Sequence, residues 1–448
     1  MKRTWFLLSV VLGVVAAACT SSKGANPQSA SPGGASSAQS ASSGEVVNIT
    51  LWHGYEAPAP GGPPNYEAIS LKNLIDTFNA THPTIQVRDV FCCSNDFALQ
   101  KLTVALQGDK QPDIAYEYGS SMPQLATTPK VVDLTQRVND PSYAWDDFFP
   151  GERAVTTVDG KVLGIPALVD NLAIVYNQTL FDKVGLSYPS SDWTWDEFRA
   201  AAKALTVPAA KQFGWSFPAD ASEDTVWHYD AMLWEAGGDI LTSDNKKAAF
   251  DSPAGLEALT ALQEMAVTDK AVFVDLQNSG KADTLFNSGK IGMMVTGPWA
   301  LPSYPDVKYG VQIMPSFPGG NHQTIAGPDN WVLFDNGPAR VDAAWTFMKW
   351  FTAPEQVLAD SLACGHLPTR ASVGSMPGFA SFGTKYPGVG AFVANLSNVL
   401  KARPQISTYP KISTAMGQAI VSVLLGQASP QEALSKAAQE VDTTLSIP

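Results

Sequence analysis

The chain reads as an α/β protein built in two lobes, and three observations lead there. From residue 45 onward, segments with strand alternation and segments with helical periodicity follow one another in turn. Roughly 400 residues follow that point, too many for one hydrophobic core, so two lobes are expected. The composition, 45% hydrophobic and 16% charged, is that of a lightly charged globular protein.

The first residues form a different kind of segment. Lys2 and Arg3 precede an apolar run from Trp5 to Ala18, which is shorter than the ~20 residues a spanning helix needs. Ala16-Ala17-Ala18 then places Cys19 directly after a small-residue cleavage site. The stretch resembles a bacterial lipobox, with Ala16 where that motif usually carries Leu. Residues 1–19 are therefore expected to be an export leader ending at a lipid-acceptor Cys19, rather than an ordinary signal peptide with an incidental cysteine. Residues 20–44 are almost entirely Ser, Ala, Gly, Pro and Gln, too poor in apolar surface to fold, and read as a disordered tether. Leader, anchor and tether together predict a body held at the outer face of a cell membrane.

Charge narrows the partners. A net charge of −13 with no basic patch excludes nucleic acid and a polybasic membrane contact. Besides Cys19 the chain holds Cys92, Cys93 and Cys364. Export permits oxidation, and the spacing leaves open a bond from Cys364 to either neighbour, a Cys92–Cys93 bond, or three thiols. No Cys/His spacing suggests a metal, and no fingerprint suggests a cofactor.

The elements follow in order. Val47, Ile49 and Leu51 alternate as in a half-buried strand, and Leu71, Leu74, Ile75 and Phe78 form a helical stripe. Ile85, Val87 and Val90 make the next strand, Lys101 to Gln107 a short helix, and Asp113 to Tyr116 a third strand. That β-α-β-α-β run opens a doubly wound sheet. Thr194 to Glu197, Thr352 to Glu355 and Ser429 to Glu432 each fit a capping box, and Ser252-Pro253 a helix start. Leu434, Ala437, Val441 and Leu445 share one face of a final helix.

With these elements in place, four stretches together resemble the extracellular solute-binding proteins of bacterial ABC sugar importers, the class that includes maltose-binding protein. They are Asp159 to Pro166 followed by Val175 to Phe181, Thr194 to Phe198, Phe286 to Lys290 leading to Gly297-Pro298-Trp299, and Pro404 to Val441. The resemblance implies the type II periplasmic-binding-protein fold, two α/β lobes joined by a hinge. It assigns residues 45–168 and 315–363 to the N-terminal lobe, and 169–314 and 364–448 to the C-terminal lobe. The chain would cross near Pro166 to Leu172, Met314 to Phe317 and Leu362 to Leu367. It further implies capture of a sugar or oligosaccharide in the cleft, delivery to the transmembrane subunits of an ABC permease, and a monomer.

A sugar offers apolar C–H faces to aromatic rings and hydroxyls to carboxylates, amides and imidazoles. Trp299 matches the family's stacking tryptophan, and Asp170 the acidic position in the first crossing. Trp52 and His53 end the first strand, facing opposite ways. Asn95 and Asp96 follow the second strand, and Tyr118 the third. Trp227 and His228 lie in what reads as a loop rich in acids, namely Asp220, Glu223 and Asp224. Asp329, Asn330 and Trp331 follow a Gly-Pro turn, and Tyr409 precedes the C-terminal helix; Arg370 is a weaker candidate. The acids around Asp220 read as a solvated face rather than as the paired carboxylates of a glycoside hydrolase. The chain is therefore expected not to be an enzyme, and the alternative ligands are a polyol or a peptide.

Overall fold

The computed structural model describes residues 45–58, 60, 64–278 and 280–447. The leader, Cys19 and the 20–44 tether lie outside these residues. No helix among the described residues is long and apolar enough to cross a membrane.

Two five-stranded sheets organise the body. The strands are β1 (Val47–His53), β2 (Ile85–Phe91), β3 (Ile114–Glu117), β4 (Thr157–Val158), β5 (Lys161–Val162), β6 (Ile165–Asn171), β7 (Ala173–Asn177), β8 (Phe213–Pro218), β9 (Val272–Asp275), β10 (Ile291–Thr296), β11 (Tyr309–Gln312) and β12 (Ala326–Leu333). The first sheet runs β2-β1-β3-β12-β6 and the second β11-β7-β10-β8-β9, with β4 and β5 forming a small hairpin. In the first sheet β1 pairs parallel with β2 and β3, while β12 runs antiparallel to β3 and β6. The second repeats the plan, with β8, β9 and β10 parallel and β7 and β11 reversed.

Both sheets are covered on both faces, as parallel sheets require. Alternation along β12 sends Trp331 and Leu333 into one core, with Ile114, Tyr116 and Phe347, and Val332 into another, with Leu102 and Met122. In β7, Ile174 and Tyr176 join the large core around Trp215, Phe198 and Trp195, while Ala173 and Val175 face Phe286, Tyr304 and Phe382. The expected stripe of Leu71, Leu74, Ile75 and Phe78 is the buried face of the 66–81 helix.

Local signals are met where the surrounding backbone is free to use them. Thr194 and Ser429 each form a complete capping box, and Ser252 accepts from the Gly255 amide. Thr352 departs from expectation: it closes the preceding helix, its hydroxyl donating to the Met348 carbonyl 2.8 Å away, so Ala353 starts the 354–364 helix uncapped. The helix expected from Lys101 begins six residues earlier, at Asn95.

The chain passes from the first sheet to the second at Leu172, between β6 and β7. The return comes later than Met314 to Phe317. Phe317 and Ile325 pack in the second sheet's core with Trp195, and β12 joins the first sheet only from Ala326. Near Cys364 to Leu367 the chain crosses again, Leu367 packing with Phe382 and Val169.

Arg370, a weak candidate for ligand contact, turns out to be a structural rivet. It is 2% exposed, with its guanidinium carbon 3.9 Å from the Phe148 ring centroid and 5.1 Å from that of Tyr143. It donates to the carbonyls of Thr352 (2.6 Å), Ala144 (3.1 Å) and Tyr143 (3.2 Å). Removing it leaves these acceptors unanswered. Arg370→Ala should cost about 3–5 kcal/mol, read as a lower urea midpoint. Arg370→Lys should recover little, because an ammonium cannot span the three acceptors.

Candidate functional site

A cavity of about 350 Å³ opens where the carboxyl ends of the strands in the two sheets converge. That edge is where open α/β sheets place ligands, since loops there diverge and leave room.

The first sheet supplies one wall. Gly54, directly after β1, makes room for the start of the 95–107 helix: a Cβ there would fall 2.0 Å from Asn95 Oδ1. Asn95 and Asp96 thus stand at the helix start and line the cavity, with Tyr118 donating to Asp96 at 3.2 Å. From β12, Asp329 accepts from the Tyr116 hydroxyl at 2.6 Å and the Gly119 amide at 3.3 Å. From β6, Asp170 is 1% exposed; its Oδ1 accepts from the Leu367 amide at 2.8 Å, and its Oδ2 has no hydrogen-bond partner.

The opposite wall is led by the 223–235 helix. Glu223 accepts from Arg403 at 2.8 Å, from the Tyr409 hydroxyl at 3.1 Å and from the Ser413 hydroxyl. Asp224 lies 3.2 Å from His228 Nδ1 and accepts from Asn278 at 2.8 Å. One turn on, the Trp227 ring lies 5.9 Å from that of Trp299, inclined at 34°, so two indoles form an aromatic wall beside the acids. Gly297 is what lets Trp299 fold back: a Cβ there would sit 1.7 Å from the indole.

Charge is held unevenly. Burial pushes Asp96 up to about 8, with Asp224, Asp220 and Glu223 adding like charge, and pushes Asp170 up to about 7. Burial raises Asp329 as well. Asp224 runs the other way: burial opposes its charge, but His228 and Asn278 outweigh it and hold the carboxyl below its usual range. His366 is a second cation of the lining, besides Arg403. Its Nδ1 lies 3.1 Å from Asp360, its Nε2 3.1 Å from Glu67 and 3.8 Å from Asp170. Burial alone would lower its pKa, yet Cys364, Asp170 and Asp360 together raise it well above the ordinary value. Burial pushes the adjacent Cys364 thiol up to about 12. That thiol is uncharged at neutral pH, so the carboxylates are what hold the imidazolium.

The family model for bacterial extracellular solute-binding proteins matches residues 64–358. The chain belongs to that family. It is similar to a putative binding protein of Brucella abortus, 26% identical over 363 residues, covering 78% of this chain and 84% of that one. It is also similar to the sn-glycerol-3-phosphate-binding periplasmic protein of Yersinia enterocolitica, 21% identical over 91% of this chain and 94% of that one. Among solved structures, the cyclic alpha-maltosyl-1,6-maltose binding protein of Arthrobacter globiformis is 29% identical with a TM-score of 0.70, covering 89% of this chain and 99% of that one. Family and fold are those of non-catalytic, extracytoplasmic binding proteins with two α/β lobes.

In this solute-binding protein, eight of the thirteen residues singled out from sequence line the cavity: Asn95, Asp96, Tyr118, Asp170, Trp227, His228, Trp299 and Asp329. The other five do not. Trp52 is half-buried against the core of Leu102 and Met122. His53 is 4% exposed, with its Nδ1 accepting from the Tyr55 amide at 3.2 Å, and burial lowers its pKa. Gly54, one residue on, takes the place expected for both. Trp331 packs edge-on to Tyr116 in the core, and Asn330 is 1% exposed, its Cβ 3.2 Å from where a Gly164 Cβ would be. Tyr409 stands behind Glu223 rather than in the wall.

Trp227 and His228 are helical, not loop, and of the acids before them Glu223 and Asp224 are wall rather than solvated face. Glu67, Glu223, Asp224, His366 and Arg403 were not singled out, though all five line the cavity. The acid run Asp220, Glu223 and Asp224 was the one available signal. Glu67, His366 and Arg403 reach the cavity through long-range packing that no local pattern announces.

Among the described residues, Asp360, Cys364 and His366 bring potential metal-ligand atoms within 4.8 Å of one another. Both His366 nitrogens, however, face carboxylates as donors, leaving no lone pair for an ion. The stabilisation from this imidazolium is complete below the ordinary histidine range, near pH 6.5, and is lost as pH rises through its raised folded value. Imidazole ¹⁵N spectra should show His366 still doubly protonated at pH 7. A titration midpoint at or below 6.5 would contradict the arrangement.

Proposed function

We propose that this chain is the lipid-anchored, extracytoplasmic binding component of an ABC importer, capturing a sugar or short oligosaccharide between its two lobes. The observation that carries the reading is the Trp227–Trp299 wall set against carboxylates from both sheets. Flat rings cover the C–H faces of a pyranose, and carboxylates accept from its hydroxyls. The Arthrobacter relative, named for a cyclic maltosyl sugar, supports it.

A phosphorylated ligand of the kind named for the Yersinia relative is disfavoured. Arg403 is the one lysine or arginine among the lining residues, and Glu223 already engages it. Capture proceeds by closure of the lobes about the crossings at Leu172, Ile325–Ala326 and Cys364–Leu367, excluding water from the contacts. Cys19 and the 20–44 tether keep the protein beside the permease that receives the ligand.

A thermal-shift screen tests the substrate class. A sugar at 100 times its dissociation constant should add ~2.7 kcal/mol of stability, while sugar phosphates and peptides should add none. Trp299→Ala should weaken the best sugar by about 1–3 kcal/mol, roughly 5- to 150-fold, in a calorimetric titration. Unchanged affinity would show that the indole does not stack on the ligand.

A further inference from the structure

We propose that the ligand carries a protonated amine, as in an amino sugar or amino-substituted oligosaccharide, seated between carboxylates of the two walls. The inference rests on the sugar reading above and adds a charge to it.

Acids dominate the cavity. Eight carboxylates line it against one arginine and two histidines. Three of the eight have a cation in contact: Glu223 holds Arg403, Asp224 holds His228, and Glu67 holds His366. Asp96, Asp275, Asp283 and Asp329 are met only by hydroxyl or backbone donors. Those donors are Tyr118 for Asp96, the Gln277 and Asn278 amides for Asp275, Tyr304 for Asp283, and Tyr116 with the Gly119 amide for Asp329.

The eighth acid points to a ligand independently. Asp170 is 1% exposed, lines the cavity and presents an Oδ2 with no hydrogen-bond partner, the nearest cation being a shared His366 at 3.8 Å. A buried acceptor of this kind calls for a donor from the ligand.

The acids also oppose one another across the cleft. Asp96 belongs to the 95–107 helix beside the first sheet, while Glu223 and Asp224 open the 223–235 helix of the other wall. The charges bearing on Asp96 are those of Asp224, Asp220 and Glu223, with only the Tyr118 hydroxyl relieving it. Burial and like charge across the cleft keep a proton on Asp96 near neutral pH. An ammonium between the walls takes that proton's place, and it matches the chemistry of the lining, since it donates three hydrogens and accepts none. The neighbouring indole faces favour a cation as well.

Calorimetry on the purified chain tests this with three matched probes: a glucosamine disaccharide, its N-acetylated counterpart, and the same disaccharide with hydroxyls in place of the amines. The amine form should bind at least tenfold tighter than either neutral form. At pH 7 it should release protons, read from the dependence of the heat on buffer ionisation, because Asp96 must give up its proton to face the ammonium. Asp96→Asn should abolish both the preference and the proton release, with far-UV circular dichroism and the thermal midpoint of the unliganded variant reporting that it folds.

Neutral sugars binding as tightly as the amine would overturn the inference and leave the sugar reading standing. Proton release that persists in Asp96→Asn would also overturn it. If no sugar of any charge shifts the protein, both readings fail together.

Discussion

A carboxylate taken out of water must be met by donors or give up its charge, and the cleft of this protein is arranged around that requirement. Some of these carboxylates are richly met. Glu223 has a guanidinium and two hydroxyls behind it, and Asp224 has an imidazole and an amide. Where donors are few, burial wins, and Asp96 and Asp170 are pushed up towards neutrality. The cleft therefore holds a graded set of acids, some met by several donors and some by few. Acids with few donors stand in both walls, Asp96, Asp170 and Asp329 on the first sheet's side and Asp275 and Asp283 on the second's, so a ligand that donates between the walls meets acceptors on both.

The same residues sit on the crossings. Asp170 lies two positions before Leu172, where the chain leaves the first sheet, and it accepts from the Leu367 amide on the third crossing. The second crossing is tied to the first: Thr324 donates to the Leu172 carbonyl at 2.7 Å, and the Leu172 amide donates to Ile325 at 3.3 Å. Asn395 adds two bonds to this knot, to Asn171 and Leu172. A change of charge or partner at Asp170 is therefore felt where the lobes are joined. Under the proposed closure, the cleft lining and the crossings share a side chain, which would give that motion a local physical cause.

Much of this was legible in the sequence, and the reasons are specific. Strand alternation and helical stripes located the β-α-β-α-β opening because both periodicities report which face is buried, and here both faces of each sheet are covered. The Gly297-Pro298-Trp299 motif led to the cavity because its glycine has a steric purpose beside the indole. Thr352 shows where such signals stop. Its capping pattern was complete, but the hydroxyl had a nearer acceptor in the helix it ends, and that local contact prevailed. Strand parity misled at His53, because the chain leaves β1 there and the next residue, without a side chain, is the one at the cavity. The acids before Trp227 looked like solvated charge because a sequence does not show that Arg403, some 180 positions away, closes over Glu223.

Tyr409 shows what kind of information a resemblance carries. It was singled out as a ligand contact, and its ring is instead buried, its hydroxyl fixing Glu223 from behind. Tyr116 stands in the same relation to Asp329, though it also reaches the cavity itself. A side chain that aims a carboxylate governs the ligand as surely as one that touches it, because a buried acid without its donor loses either its position or its charge. Specificity in this cleft is thus distributed over two layers. The front layer is set by the ends of the strands, the starts of two helices and Arg403, and the rear layer by Tyr409 and Ser413, contributed from a distant part of the chain. Two binding proteins with the same front-layer residues would still differ in charge, and so in ligand, if their rear layers differed.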